Sequence, residues 1–125
     1  MIAIPGQDNP LALIACARAD GSPIVAGTVN FYLYCLTGAN AGHWWKGATS
    51  TWEDLLNIAG AGTHTDDGHW YTSIAAAAWT EGVAYEASLK ESGDLHIPVS
   101  DDVFCTGQHA PNTDLNITLQ NGGAT

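Results

Sequence analysis

Basic residues are almost missing from this chain. Arg18, Lys46 and Lys90 stand against thirteen carboxylates, for a formal net charge of −10. Binding to a phosphate backbone works by displacing counterions with clustered Lys and Arg. Three scattered cations cannot do that, so nucleic acid is excluded as a partner, and an anionic membrane surface with it. Charge of either sign is scarce, at 13% of residues, about half of the roughly 25% of an ordinary domain. Much of the surface must therefore be neutral, and charge-poor surfaces are typical of interface centres.

Long apolar runs are missing too. The longest near the start spans residues 11–17, far below the roughly 20 residues of a membrane span. The start has no basic segment, and Pro5 and Gly6 interrupt it early, so a chain made and assembled in a cytoplasm is expected. Cysteine is sparse, with Cys16, Cys35 and Cys105 far apart and no CxxC. Three small buried hydrophobes in a reducing compartment is the first reading, and one disulfide plus a free thiol the second. The sequon at Asn116-Ile117-Thr118 carries no weight without a secretory route.

Motifs that would carry chemistry are equally scarce. No GxSxG, GxxxxGKS or GxGxxG occurs, which leaves no local sign of a nucleophile elbow or a phosphate loop. The histidines are His43, His64, His69, His96 and His109, without HxxxH spacing. His64 and His69 could meet across a turn to hold a metal, but exposed turn and strand histidines explain them as well. Asp94 with Asp101 and Asp102, or Asp66 with Asp67, could offer oxygen ligands to calcium. They lack the alternating acidic spacing of a calcium loop and read as turn aspartates. No catalytic residue, cofactor or metal ligand is assigned.

What the chain does have is period-two alternation between turn signals. Residues 28–36 are the clearest strand. Val29, Phe31, Leu33 and Cys35 share one face, and Asn30, Tyr32, Tyr34 and Leu36 share the other. Both faces are largely apolar, so the strand is central and covered on both sides, or on one side by a partner chain. Residues 83–90 alternate with Val83, Tyr85, Ala87 and Leu89 inward. Residues 11–17, 69–74, 95–99, 103–105 and 115–119 are further strands, and residues 52–58 are a strand or one helical turn. Residues 75–78 read as a linker with at most one helical turn. Turns fall at Asp20-Gly21-Ser22-Pro23, Thr65-Asp66-Asp67-Gly68 and Glu91-Ser92-Gly93-Asp94. Pro98 marks an edge or a strand end. About seven or eight short strands without helical periodicity predict a single all-β domain, an antiparallel β-sandwich, with a small β-barrel as the alternative. Its expected core is Phe31, Leu33, Trp70, Ile74, Tyr85 and Leu89.

The expected organisation is an N-terminal assembly arm over residues 1–10, the sandwich over 11–105, and a C-terminal strand and tail over 106–125. Ile2 and Ile4 could add a strand to a neighbour's sheet, or simply continue the domain's own edge. The tail over residues 121–125 has no apolar anchor, so ordering it calls for a neighbouring surface, a crystal lattice or pairing with a sheet. The chain has five tryptophans, more than a sandwich core uses. Trp44 and Trp45 are adjacent, so at most one faces the core if the segment is extended. The other is free to pack on a loop, meet a partner or stack on a glycan. Ile2, Ile4, Trp44 and Trp45 are thus the interface candidates.

Four segments carry a resemblance. They are Gly27-Thr28-Val29-Asn30-Phe31-Tyr32-Leu33, Asp67-Gly68-His69-Trp70, Trp79-Thr80-Glu81-Gly82-Val83-Ala84-Tyr85 and Lys90-Glu91-Ser92-Gly93-Asp94-Leu95-His96. Together they resemble small structural proteins of tailed bacteriophages and, more loosely, Ig-like and transthyretin-like modules, over residues 11–99. The resemblance implies an Ig-like sandwich acting as a virion part and carrying no catalytic residue. A capsid decoration (cement) protein clamping the major capsid protein is the first expectation, as a homo-oligomer with a trimer favoured. An acidic surface suits a position away from packaged DNA. A tail, baseplate or fibre component is the alternative, and a small glycan-binding module is the reading from another class.

Overall fold

The computed structural model describes residues 1–107. The expected strand over residues 115–119, the tail and His109 lie outside the described residues. The elements are β1 (Ile2–Ala3), β2 (Asn9–Ile14), β3 (Val29–Cys35), β4 (Trp44–Lys46), β5 (Thr51–Glu53), β6 (Gly60–Ala61), β7 (Thr63–Asp66), β8 (His69–Ile74), β9 (Ala84–Glu91) and β10 (Val99–Cys105). A single 3₁₀ turn, Ala76–Ala78, is the one helical element among the described residues. The chain is all-β, as its alternation implies.

The strands form two sheets. The larger has seven strands in the order β1-β10-β9-β3-β4-β5, with β6 also pairing β3. The smaller has three, in the order β2-β8-β7. Both sheets stay open and pack through one face each, so the chain is a sandwich and not the alternative barrel. All pairings between these strands are antiparallel except β1 with β10, which is parallel.

Alternation places the core between the sheets. Val29, Phe31, Leu33 and Cys35 of β3 are buried together with Tyr85, Ala87 and Leu89 of β9. Leu11 of β2 and Trp70 and Ile74 of β8 close over them from the smaller sheet. All six expected core residues are therefore interior. Three tryptophans are buried here, and each indole finds a place. Trp70 Nε1 donates to the Ile24 carbonyl at 2.8 Å, and Trp79 Nε1 to the Ile74 carbonyl at 3.3 Å. Trp45 packs edge-on to Trp52 at 5.1 Å, and Trp52 stacks on Tyr85 at 5.9 Å. A buried aromatic cluster of this kind is worth more than its area alone.

Local chemistry sets the turns. Asp67 and Gly68 both have positive φ, at 46° and 82°, and join β7 to β8 as the two-residue hairpin turn that matches strand twist. Asp20 accepts the amide and hydroxyl of Ser22, closing the turn expected there.

Three expectations need correction. Residues 95–99 do not form one strand, since β10 begins only at Val99, and neither Leu95 nor Ile97 is in the core. Both are exposed, and His96, at 3% exposure, is the buried residue. The cause is pairing across the chain: Arg18 N–H donates to the Leu95 carbonyl and Ile97 N–H to the Cys16 carbonyl, which brings Ala17 opposite His96. A one-residue change of phase exchanges the faces. Asp101 and Asp102 are not turn aspartates either, since they lie on β10 opposite Ala87 and Glu86. Finally, residues 52–58 are neither one strand nor a helical turn, because β5 ends at Glu53 and Leu55 and Leu56 stand exposed in a loop.

Residues 1–10 are held by their own domain. Phe104 N–H donates to the Met1 carbonyl at 3.0 Å and Thr106 N–H to the Ala3 carbonyl at 2.9 Å. The buried Asn9 side chain accepts the Ile4 amide and donates to the Ile4 and Gln7 carbonyls, imitating a strand partner. Within the chain, Ile2 lies in the domain's own edge strand and Ile4 in the segment that follows it.

Candidate functional site

With the inner faces spent on the core, the outer faces of both sheets are left, that of the smaller carrying exposed Ile14 and Tyr71 and that of the larger being the more extensive. No element among the described residues covers the larger sheet's outer face. Its side chains follow from register, since residues opposite one another share a face. One cross-strand row runs Asp102, Glu86, Tyr34, Trp44 and Glu53 over β10, β9, β3, β4 and β5. The next runs Ser100, Ser88 and Tyr32, and beyond it Lys90 lies opposite Asn30. On the other side, Ile2, Phe104 and Ala84 form a row, which Leu36 extends by donating its amide to the Ala84 carbonyl.

Aromatics sit at the centre. The Tyr34 and Trp44 rings are 4.7 Å apart and tilted by 53°. The Lys90 ammonium lies 5.5 Å from the Tyr32 ring centroid, within cation–π range. Apolar groups sit at both ends. Ile2 is 54% exposed, Leu36 45% and Phe104 44%. At the far end Leu56 and Ile58 line a shallow depression with Tyr32 and Lys46, and both are exposed. Isolated surface hydrophobes are ordinary; here several collect on one face, around the aromatic centre.

The four interface candidates separate. Trp44 looks outward and Trp45 inward, since adjacent strand residues oppose. Ile2 is on the exposed edge row, and Ile4 is half-buried in the turn clamped by Asn9. Tyr32, Tyr34, Leu36 and Phe104 were not singled out as interface residues. The pattern of residues 28–36 puts the first three on the face opposite Val29, Phe31, Leu33 and Cys35, which the structure turns away from the core.

Groups with chemical potential lie elsewhere and are occupied. Cys35 and Cys105 are free thiols, and burial pushes both above the ordinary value. Burial also raises the Tyr85 phenol, whose hydroxyl accepts the Thr80 amide and donates to the Ala78 carbonyl. His64 Nε2 accepts the Gly68 amide at 3.1 Å, and His69 Nδ1 lies 2.7 Å from the Asp66 carbonyl. His43 Nε2 lies 2.8 Å from Asp54 and ties β4 to the chain leaving β5. Among the described residues no three His, Cys, Asp or Glu side chains converge as metal ligands.

Comparison with known proteins returns no match, whether to a protein-family model, a curated protein or a solved structure.

Proposed function

We propose that this chain is a non-enzymatic structural protein of a virion, a capsid decoration protein that clamps neighbouring subunits of a tailed-phage head. The observation that carries it is the outer face of the larger sheet, which no element among the described residues covers, with Tyr34 and Trp44 at its centre and Ile2, Leu36 and Phe104 exposed along one side. Aromatic anchors ringed by apolar contacts are the composition of an interface centre. The narrowing from assembly protein to capsid cement rests on the sequence resemblance and on the shortage of cations. Assembly takes place in the host cytoplasm, and the partner is the major capsid protein or another virion protein. A homo-oligomer is the working form, with a trimer favoured.

A glycan-binding module is the second reading, and Trp44 favours it. It is the one tryptophan on the outward face among the described residues, beside Tyr34 and within a row that ends in carboxylates. Aromatic faces flanked by hydrogen-bonding groups suit a saccharide. Quantitative mass spectrometry of purified particles tests the first reading. Hundreds of copies per particle are expected for capsid cement. A few copies indicate the tail or baseplate, and none at all overturns the virion reading. The surface is tested separately with Phe104→Asp, which is expected to keep the fold and abolish attachment to heads.

A further inference from the structure

Like charges directly opposite one another on neighbouring strands are destabilising. Asp102 and Glu86 occupy such a pair on the outer face, and Glu53 lies in the same row beyond Trp44. Among the described residues the ion pairs join Met1 to Asp101, His43 to Asp54 and His96 to Asp94, and none reaches Glu86 or Asp102. The Met1 ammonium approaches only the backbone carbonyl of Asp102, at 2.8 Å. Lys90, on the same face, lies over Tyr32. Three Lys and Arg in the whole chain leave little with which to neutralise the row. A place where a fold departs from its own local rules is often a functional one.

Beside this pair stands the tilted couple of Tyr34 and Trp44. Strands are spaced by about 4.8 Å, so the Glu86 backbone lies one spacing from Tyr34 and that of Asp102 two. Aromatic faces next to unpaired carboxylates suit a guanidinium. It stacks flat on a ring and donates in-plane hydrogen bonds to carboxylates, which a lysine ammonium cannot do together. We propose that the outer face of the larger sheet docks a protein partner that places an arginine against Tyr34 and Trp44, paired with Glu86 and Asp102. A second copy of this chain is the poorer occupant, because it would bring the same carboxylate row against this one. The inference rests on the reading of this face as an assembly surface, and it names the partner's chemistry there.

The test uses the full chain and two capped tripeptides, acetyl-Gly-Arg-Gly-amide and its glutamine counterpart, followed by NMR. The arginine peptide is expected to give saturable shifts at the Trp44 indole N–H and the Tyr34 and Glu86 amides, and the glutamine peptide none. Glu86→Gln and Asp102→Asn, which keep shape and remove charge, should each weaken arginine binding about tenfold. Equal shifts with both peptides, no shifts at these residues, or unchanged affinity in both variants would overturn the proposal. So would maltohexaose shifting the same residues while arginine does not, or a homo-oligomer that Trp44→Ala dissociates. Failure of the arginine probe while Phe104→Asp still abolishes head attachment sinks this inference alone. Normal attachment by Phe104→Asp sinks the surface reading beneath it.

Discussion

Phe31 is buried without remainder between the sheets, on the middle strand of the larger one. Truncating it to alanine removes the ring and leaves a cavity, so Phe31→Ala is expected to cost about 3–5 kcal/mol in a denaturant titration. A loss under about 1 kcal/mol would contradict its burial. Asn9 makes a different kind of contribution. Its side chain meets both backbone groups of Ile4 and the Gln7 carbonyl. Asn9→Ala orphans these groups, and a loss of about 1–3 kcal/mol is expected, with faster amide exchange at Ile4. The thiols make a third residue-scale contrast. Cys35 and Cys105 are buried, and burial raises their pKa, whereas Cys16 is half-buried. Iodoacetamide under native conditions is expected to label Cys16 well before the other two. Equal labelling of all three would contradict this order.

Elements whose two faces differ were legible in the sequence. β9 alternates cleanly, and the structure buries the face that alternation selects; β3, apolar on both faces, was legible as a strand, and the structure chooses its Val29, Phe31, Leu33 and Cys35 face for the core. The hairpin turn at Asp67-Gly68 was legible because only residues tolerating positive φ fit there. The segment after β9 was not. Its phase is set by backbone pairing with residues 16–18, a contact far away in sequence that hydrophobicity does not encode. Leu95 and Ile97 are exposed there, and His96 is the buried residue. An edge strand at Ile2 was one of two readings, but its parallel pairing with β10 was hidden, since a two-residue strand has no periodicity of its own. The turn out of β9 gives the pH dependence. The Glu91 carboxylate accepts the Leu95 amide at 2.6 Å and the Gly93 amide at 2.9 Å. These bonds, that from Leu95 first, hold its pKa below the ordinary 4.5. A depressed carboxyl stabilises the fold fully above its ordinary value, and that share is lost as the pH falls through the lower folded-state value. Melting temperatures of the parent and of Glu91→Gln are therefore expected to differ near neutrality and to converge in acid. A gap that widens in acid would contradict the assignment.

At the scale of the molecule, the sandwich uses one face of each sheet for its core and leaves the larger sheet's other face uncovered by any described residue. The site was half legible. Adjacency puts one of Trp44 and Trp45 outward without saying which. The contribution of Phe104 and the Asp102–Glu86 pair could not be read, because it depends on which strands become neighbours. Hydroxyl-radical footprinting of the chain, free and attached to its particle, tests the outer face most directly. Protection is expected at Tyr34, Trp44, Leu36 and Phe104, with no change at Tyr71 on the exposed face of the smaller sheet. Protection at Tyr71 with Trp44 and Phe104 as reactive as in the free chain would contradict it.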